Sequence, residues 1–455
     1  MQALIHSVTT EAVITFKDGS TYNIPMADPD QLGLDNYCTS IKLKEQLYST
    51  NNNNIVGNIC GNTLSLTIQS KDGLLISSNT SSIYHGLMNN TAFIDINCTG
   101  EDDVRVYMGR YYVDAWENGV TAATANQVTI TAVDLMSRVK NIPLKDLRLK
   151  RKMTVREYFS NILNKLNSQL SSDMHVNFNT PGSDIFNNVD WALWYNNIDR
   201  DSFENILNSI AQNTLTHIWI DRGRWLQTDW LLNDTQESPV CTLSGTVNVL
   251  DYGTNLADDS KASGITVNYI ENVSYEDKEL ATINDYDLAA GSNHLSNVKL
   301  NTDKILSINT IEIICENGFA FNKSFSNYKD SIDIDIYSTV ATKANIKIWG
   351  TVINEIKTST SRYIDNDNKS DVVELNNNIL RASLIGVYVD GLVNLISYSN
   401  SNIYVEGFLN PQLKIGDMVT VVGSKLGINN NYKIISLEFT LGSNYRCKAT
   451  LLRTV

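Results

Sequence analysis

Short segments in which apolar and polar residues alternate recur along most of the chain, and this period of two limits the fold more than any other feature. Clear examples are TLSLTIQ (Thr63–Gln69), SGITVNYI (Ser263–Ile270) and DSIDIDIYS (330–338). Because successive side chains of a strand point to opposite faces, each segment predicts a strand with one buried and one wet face. Turn signals between them, such as Asp18-Gly19, predict sandwiches or barrels.

Helical periodicity is confined to a few places. Thr154, followed three residues later by Glu157, predicts a capping box at the start of a helix. A second helix is expected from about Asp201 to Ala211, followed by a hairpin around Asp221–Gly223. A third helix of about 25 residues is expected from Ser370 or Asp371 through Ile396. The first two helices and the hairpin indicate a small α+β unit.

A chain of 455 residues is too long for one ordinary core. The pattern predicts a mainly β protein with an α+β insertion, divided into four parts: 1–144 (β), 145–240 (α+β), 241–359 (β) and 360–455 (long helix plus β). The stretch 283–304 is polar, which indicates a long loop or an exposed hairpin. Two β units are thus expected, although no sequence identity links them.

The formal net charge of −14 limits the possible partners. Such a surface repels nucleic acid and anionic lipid, so stable binding of either is not expected. An uninterrupted apolar run of about 18 residues is absent from the sequence, so we expect no membrane insertion. The first residues lack the basic start and apolar block of a secretory signal, which predicts folding in a cytosol.

Residue patterns typical of catalysis or metal binding are missing. The sequence contains no GxSxG, HExxH, P-loop or GxGxxG motif, and its five histidines are far apart. The six cysteines are scattered without a CxxC pair, so zinc and redox motifs are not indicated and reduced thiols are expected. We therefore predict no enzyme activity, no cofactor and no metal site.

Two features leave a binding role open. A basic cluster stands out in an acidic chain and is either a solvated linker or a contact with an acidic neighbouring subunit; its members are Lys145, Arg148, Lys150, Arg151 and Lys152. A tryptophan-rich stretch is either a domain core or a surface on which sugars stack; its members are Trp191, Trp194, Trp219, Trp225 and Trp230.

The order of the segments resembles that of phage tail and baseplate hub proteins. The stretch GRYYVDAW (Gly109–Trp116) followed by VTITAVD (Val128–Asp134) is similar to two successive strands of that family's opening barrel, which a short helix follows. Residues 153–229 resemble its helix–helix–hairpin unit, and residues 263–284 resemble the strand that enters its second barrel. Residues 410–453, beginning NPQLKIGDMVTVVG, are similar to its closing strands. The resemblance covers nearly the whole chain.

The resemblance implies two tube-like β-barrels per chain, within 1–144 and about 241–359. It also implies a homotrimer that adapts a sixfold tail tube, or a distal tail protein, to a threefold spike or tip around a central channel. Wedge proteins and the tape measure protein are further candidate partners. The protein would then be a virion baseplate component, assembled in the bacterial host cytoplasm. Asn430 and Asn431 depart from the family, which often has Gly there, but Asn also tolerates left-handed backbone.

Two other functions stay open from the sequence alone. A carbohydrate-binding tail adhesin would use the tryptophans, and a cell-wall hydrolase would use a carboxylate pair that sequence cannot locate. If the hub hypothesis holds, the acidic balance of the chain is expected to make the channel surface non-adhesive.

Overall fold

The computed structural model describes most of the chain, in residues 8–26, 36–47, 59–119, 126–144, 147, 152–178, 193–194, 202–230, 238–245, 249–254, 263–302, 304–328, 330–364, 372–377, 382–399, 403–423, 427–441 and 445–453. Strands dominate these ranges, and the mainly β class with an α+β insertion is confirmed.

Seven strands form the first half of a large sheet. They are β1 (Val8–Thr15), β2 (Thr21–Ile24), β3 (Asn36–Gln46), β4 (Thr63–Ser70), β5 (Phe93–Gly100), β6 (Arg105–Gly119) and β7 (Gln127–Val133). They pair in the order β3-β4-β7-β6-β5-β1-β2. Every second residue of β4, β5 and β7 is buried, as the alternation predicts. Beyond β2, Met26 forms a bridge with Cys38 of β3, so the two ends of this pairing order, β2 and β3, come together.

The second half of the sheet comes from two distant parts of the chain. Its strands are β13 (Cys241–Ser244), β14 (Val249–Thr254), β22 (Ile403–Gly407), β23 (Met418–Gly423), β24 (Ile428–Leu441) and β25 (Arg446–Arg453). They pair in the order β14-β22-β25-β24-β23-β13. On one side of β24, its first part pairs with β23 and its last part, Ser436–Leu441, pairs with β3. This β3–β24 contact joins the two halves around one apolar core.

The two halves repeat the same pairing order. In the first half it is β3-β4-β7-β6-β5-β1, and in the second it is β14-β22-β25-β24-β23-β13, strand for strand. All six equivalent strands also occur in the same chain order, and β2, between β1 and β3, is an extra strand of the first half. One difference is that β1 and β5 are antiparallel whereas β13 and β23 are parallel. The repeat is therefore one of topology, which the sequence does not reveal.

An α+β unit separates the halves. It contains α1 (Leu135–Val139), β8 (Lys152–Met153), α2 (Val155–Asn167), a 3-10 turn (Ser172–Met174), β9 (Asn177–Phe178), β10 (Leu193–Trp194), α3 (Phe203–Thr214), β11 (Thr216–Ile220) and β12 (Trp225–Trp230). The predicted capping box is confirmed, since Thr154 Oγ1 accepts from the Glu157 N–H and the Glu157 carboxylate accepts from the Thr154 N–H. The apolar faces of α2 and α3 form a second core with β11.

A second unit enters the chain between β14 and β22. Its strands are β15 (Gly264–Leu288), β16 (Gly291–Lys299), β17 (Ile305–Cys315), β18 (Ala320–Asn327), β19 (Ser331–Ser338) and β20 (Thr342–Tyr363). The sheets β17-β20-β15 and β16-β19-β18 enclose a third core of mostly isoleucine and leucine. The polar stretch 283–304 is the end of β15 and all of β16, which pair with β20 and β19 in two different sheets, so it is neither a long loop nor a paired hairpin.

The expected helix from residue 370 is wrong in its first part. Val372–Asn377 form a strand, β21, that pairs in parallel with Gly264–Tyr269 of β15, and the helix α4 spans only Ala382–Ser399. Two adjacent valines favour a strand where a sheet edge is available. Tertiary pairing here overrides the apparent helical period.

The sheet pairing also differs from the expected boundaries of the second β-barrel. Within 241–359, only β13 and β14 join the large sheet, and the strands from β15 onward form other sheets. The partners of β13 and β14 lie after residue 402 because the second unit occupies the connection between β14 and β22. Among the described residues, the large sheet is also not a fully paired barrel.

Glycines at two positions give a matched test of this packing. A Cβ at Gly350 would lie 2.6 Å from Leu280 Cδ1 and would also collide with the Ser307 carbonyl oxygen, whereas a Cβ at Gly386 in α4 meets nothing within 4 Å. We expect Gly350→Ala to lower the free energy of unfolding by at least about 2 kcal/mol through overpacking. Gly386→Ala should raise it by up to about 1 kcal/mol through helix propensity. Urea titrations followed by circular dichroism measure both; equal effects would contradict the described packing.

Candidate assembly surfaces

The β3–β24 contact creates a continuous solvent face across both halves, here called the shared face. Lys44 of β3 lies opposite Glu438 of β24, which lies opposite Lys448 of β25, which lies opposite Glu406 of β22. The Lys44 ammonium is 3.3 Å from the Glu438 carboxylate, and both side chains are about half exposed. Charges therefore alternate in sign across four neighbouring strands.

The part of the shared face that β4 and β7 contribute is uncharged. Its side chains carry hydroxyls or amides, apart from Val133, and comprise Thr63, Ser65, Thr67, Gln69, Gln127, Thr129, Thr131 and Val133. The excess negative charge of the chain is thus not located on this part of the sheet.

Several strand edges in the large sheet lack a backbone partner among the described residues, including the outer edges of β2 and β13, and two others bear on assembly. One is the outer edge of β14, which pairs only with β22. The other is the last part of β6, residues 114–119, on the side of β5, because β5 reaches only to Tyr112. The equivalent part of β24 is the segment that pairs with β3. Since unpaired edges readily take up another strand, both are candidate subunit contacts.

Arg222, in the β11–β12 turn, anchors the α+β unit to both halves. Its Nε and Nη2 donate to the two carboxylate oxygens of Glu45 at 2.7 and 2.9 Å. Nη1 and Nη2 also donate to the carbonyl oxygens of Pro411 and Leu413 at 2.8 and 2.9 Å. Burial alone would lower the pKa of Arg222, but Glu45 outweighs it and the pKa is raised. Arg222 therefore stays protonated although it is buried.

Further contacts hold the same hairpin against the sheet. The Lys433 ammonium of β24 donates to Asp229 of β12 at 2.6 Å, and both side chains are largely buried. Trp219 packs against a small cluster of Leu47, Ile435 and Leu452. The hairpin predicted from sequence is thus the docking element of the α+β unit, but the identity of its partners was not predictable.

The residues singled out in the sequence are not brought together into one site. Within the basic cluster, only the backbone of Lys152 is described, in β8 opposite Trp194, and the other members lie outside the described residues. Trp219 is half-buried in the core, whereas Trp225 is 40% exposed. In the described part of the chain, no group of three or more His, Cys, Asp or Glu is placed to hold a metal ion. None of the helices in these ranges is long and apolar enough to cross a bilayer.

The Arg222–Glu45 pair yields a prediction for stability. Arg222→Ala would leave a buried carboxylate and two carbonyl oxygens without their donor, so we expect a loss of about 3–5 kcal/mol in the free energy of unfolding. The double variant Arg222→Met with Glu45→Leu should lose less than Arg222→Ala. Lys44→Ala, at an exposed pair, should change it by about 0.5 kcal/mol or less. Urea titrations of the wild type and the three variants measure these changes; a loss in the double variant as large as that in Arg222→Ala would contradict the anchoring role.

His217 yields a prediction for pH dependence. It is buried at the start of β11, and burial lowers its pKa from 6.5 to about 4. The unfolded chain therefore takes up a proton below pH 6.5 that the folded chain resists, so this contribution to stability is full above pH 6.5 and is lost as the pH falls toward 4. The expected slope approaches 1.4 kcal/mol per pH unit at most.

His217→Gln should remove that slope, so the stability difference between the two proteins changes steadily between pH 6.5 and 4 in urea titrations. Asp134 provides a control of opposite sign, because burial raises its pKa to about 6. Its contribution is full below pH 3.8 and is lost as the pH rises through 6, and Asp134→Asn should remove it. Parallel pH profiles for wild type and His217→Gln would contradict the prediction.

Comparison with known proteins identifies the fold. Neither a family model nor a curated protein sequence matches the chain. The tail protein from Neisseria meningitidis MC58 superposes with a TM-score of 0.52 at 10% identity, covering 98% of this chain and 96% of that one. The 43 kDa tail protein of prophage MuSo2 from Shewanella oneidensis gives a TM-score of 0.50 at 10% identity, with 98% of both chains covered. The chain therefore has the fold of these phage tail proteins, as its resemblance to tail hub proteins implied.

Proposed function

We propose that this chain is a structural tail protein of a phage or phage-like particle, and that three copies form the baseplate hub. The hub would join a sixfold tail tube, or a distal tail protein, to a threefold spike or tip around a central channel. The likeness in fold to two phage tail proteins over nearly the whole chain supports a tail role. The repeated halves support the threefold-to-sixfold adaptation.

The observation that carries the proposal is the equivalence between the β3–β24 contact and the two open edges. In the repeated pairing order, β14 occupies the place of β3 and β6 occupies the place of β24. Within one chain, β3 pairs with the last part of β24. If the same rule operates between chains, β14 of one protomer pairs with the last part of β6 of the next.

Such a contact is heterologous, because it joins different surfaces of the two protomers. Heterologous contacts make a ring when the rotation between protomers closes. Three chains with two halves each would then present six similar units around one axis. That arrangement lets one ring match sixfold and threefold partners on its two ends.

The proposed role needs no catalytic residue. Ser324, Asp335 and His294 form a chain of hydrogen bonds on β18, β19 and β16, but the carboxylate lies between the hydroxyl and the imidazole. A nucleophilic serine needs a general base as its immediate partner, which the imidazole is not here. We propose that the protein is not an enzyme, that it is a component of the virion tail, and that it is assembled in the host cytoplasm.

Light scattering across a concentration series tests the assembly. We expect a mass of three times 50.8 kDa for the wild-type chain. Ala115→Lys, on the open edge of β6, should shift the mass to that of a monomer, because an edge lysine blocks strand pairing. Thr67→Lys places the same charge on β4, which is paired on both sides, and should leave the trimer intact. Trimers of both variants would contradict the proposed contact.

A further inference from the structure

The second unit carries a row of exposed aromatic rings on one face of its three-stranded sheet. Phe319 and Phe321 follow each other at the period of a strand, and Tyr337 lies directly opposite Phe321. The ring centroids of Phe319 and Phe321, and of Phe321 and Tyr337, are 5.6 Å apart with interplanar angles of 30° and 39°. These residues are 59%, 43% and 38% exposed. Large rings so exposed on a folded domain mark a binding surface.

A row of polar side chains lies beside the rings on the same face. His294 lies opposite Asp335, two residues before Tyr337 on β19, so the two rows are about 7 Å apart. Asp335 interacts with His294 Nδ1 at 2.7 Å and accepts a hydrogen bond from Ser324 Oγ at 2.6 Å. The hydrogen bond from Ser324, followed by that with His294, lowers the pKa of Asp335. The carboxylate is thus held charged and in a defined position.

The edge of this sheet is built against strand addition. Both outer strands, β18 and β16, have a shift in pairing register, between Asn322 and Ser324 in β18, where Lys323 projects, and between Leu295 and Val298 in β16. A bulge and a lysine are the usual devices that keep another strand from pairing with an edge. The Lys323 ammonium lies 6.0 Å from the centre of the Tyr337 ring. Binding would therefore use the face of the sheet and not its edge.

We propose that this face binds a glycan, with hexopyranose rings stacked on Phe319, Phe321 and Tyr337. A sugar ring presents C–H groups on its faces and hydroxyls on its rim, so it can cover the aromatic row and hydrogen-bond to Asp335 and Ser324 together. An apolar protein surface would instead remove water from the exposed Asp335–His294 pair without replacing its hydrogen bonds, which is costly. The ligand class is a linear polymer of hexoses, N-acetylhexosamines or hexuronic acids.

This inference does not rest on the proposed hub assembly. The face belongs to the unit that packs on the third core, whereas the open edges belong to the large sheet. It also differs from the tryptophan-rich stretch that sequence alone indicated, since Trp219 lies half-buried against Leu47 and Ile435. Glycan binding and trimer formation can therefore fail separately.

Isothermal titration of the full-length protein tests the proposal, with three probes: the β-1,4 hexasaccharides of glucose and of N-acetylglucosamine, and the hexasaccharide of galacturonic acid. We expect saturable binding of at least one. Phe321→Ala should weaken it about tenfold, as should Tyr337→Ala, because each removes a stacked ring. Tyr337→Phe keeps the ring and should bind within about threefold of wild type.

Tyr275→Ala is the matched control, since Tyr275 is an equally large ring, 50% exposed, on β15 in the other sheet of the unit. It should bind as wild type does. Absence of binding of all three probes to the wild type would overturn the proposal, as would equal weakening by Tyr275→Ala. If Phe321→Ala left glycan binding unchanged but altered the mass in light scattering, the face would be a protein contact and the glycan proposal would be wrong. Circular dichroism of each variant confirms that the fold is retained.

Discussion

The buried pair of Arg222 and Glu45 is the contact on which the relative positions of the units depend. Three parts of the chain meet there: β3, the β11–β12 turn, and the segment of Pro411 and Leu413 that leads from β22 to β23. Removing two charges from water costs several kcal/mol each, so a buried pair adds little net stability compared with apolar packing. The pair instead fixes geometry, because the planar guanidinium can donate to the carboxylate and carbonyl oxygens in only one arrangement. The pair therefore specifies where the α+β unit lies relative to both halves of the large sheet.

Both inserted units lie in connections between strands of the large sheet. The α+β unit enters between β7 and β13, and the second unit enters between β14 and β22, so neither interrupts a strand of the large sheet. Connections tolerate long insertions because the entropic cost of closing a loop grows slowly with its length. The insertions therefore leave the repeated pairing order intact. β14 still pairs with β22, although β22 lies about 150 residues further along the chain.

Local features of the fold were predictable from the sequence, and long-range ones were not. The period of two located β4 and β19, and the capping box of Thr154 and Glu157 located α2, because these signals depend on neighbouring residues. The helix expected from residue 370 failed at Val372–Asn377, where pairing with β15 decided the conformation. The partner of Arg222 is 177 residues away, so its own turn sequence could indicate exposure but not the buried pair.

The candidate surfaces show the same division. Alternation in DSIDIDIYS places Ile332, Ile334 and Ile336 on one face and Tyr337 on the other, and this the sequence predicts. That Phe321 lies across from Tyr337 depends on the register between β18 and β19, which has a bulge. Only the structure could reveal a row of rings.

Charge on the shared face has a physical consequence for any polymer that passes near it. The chain as a whole is strongly acidic, yet Lys44, Glu438, Lys448 and Glu406 alternate in sign across neighbouring strands, and β4 and β7 beside them present mainly hydroxyls and amides. Opposite charges about 5 Å apart cancel within the Debye length of about 8 Å at physiological salt. Such a face attracts neither anionic nor cationic chains over distance. If the shared face lines the channel of the proposed hub, low adhesion would come from this local cancellation and not from net negative charge.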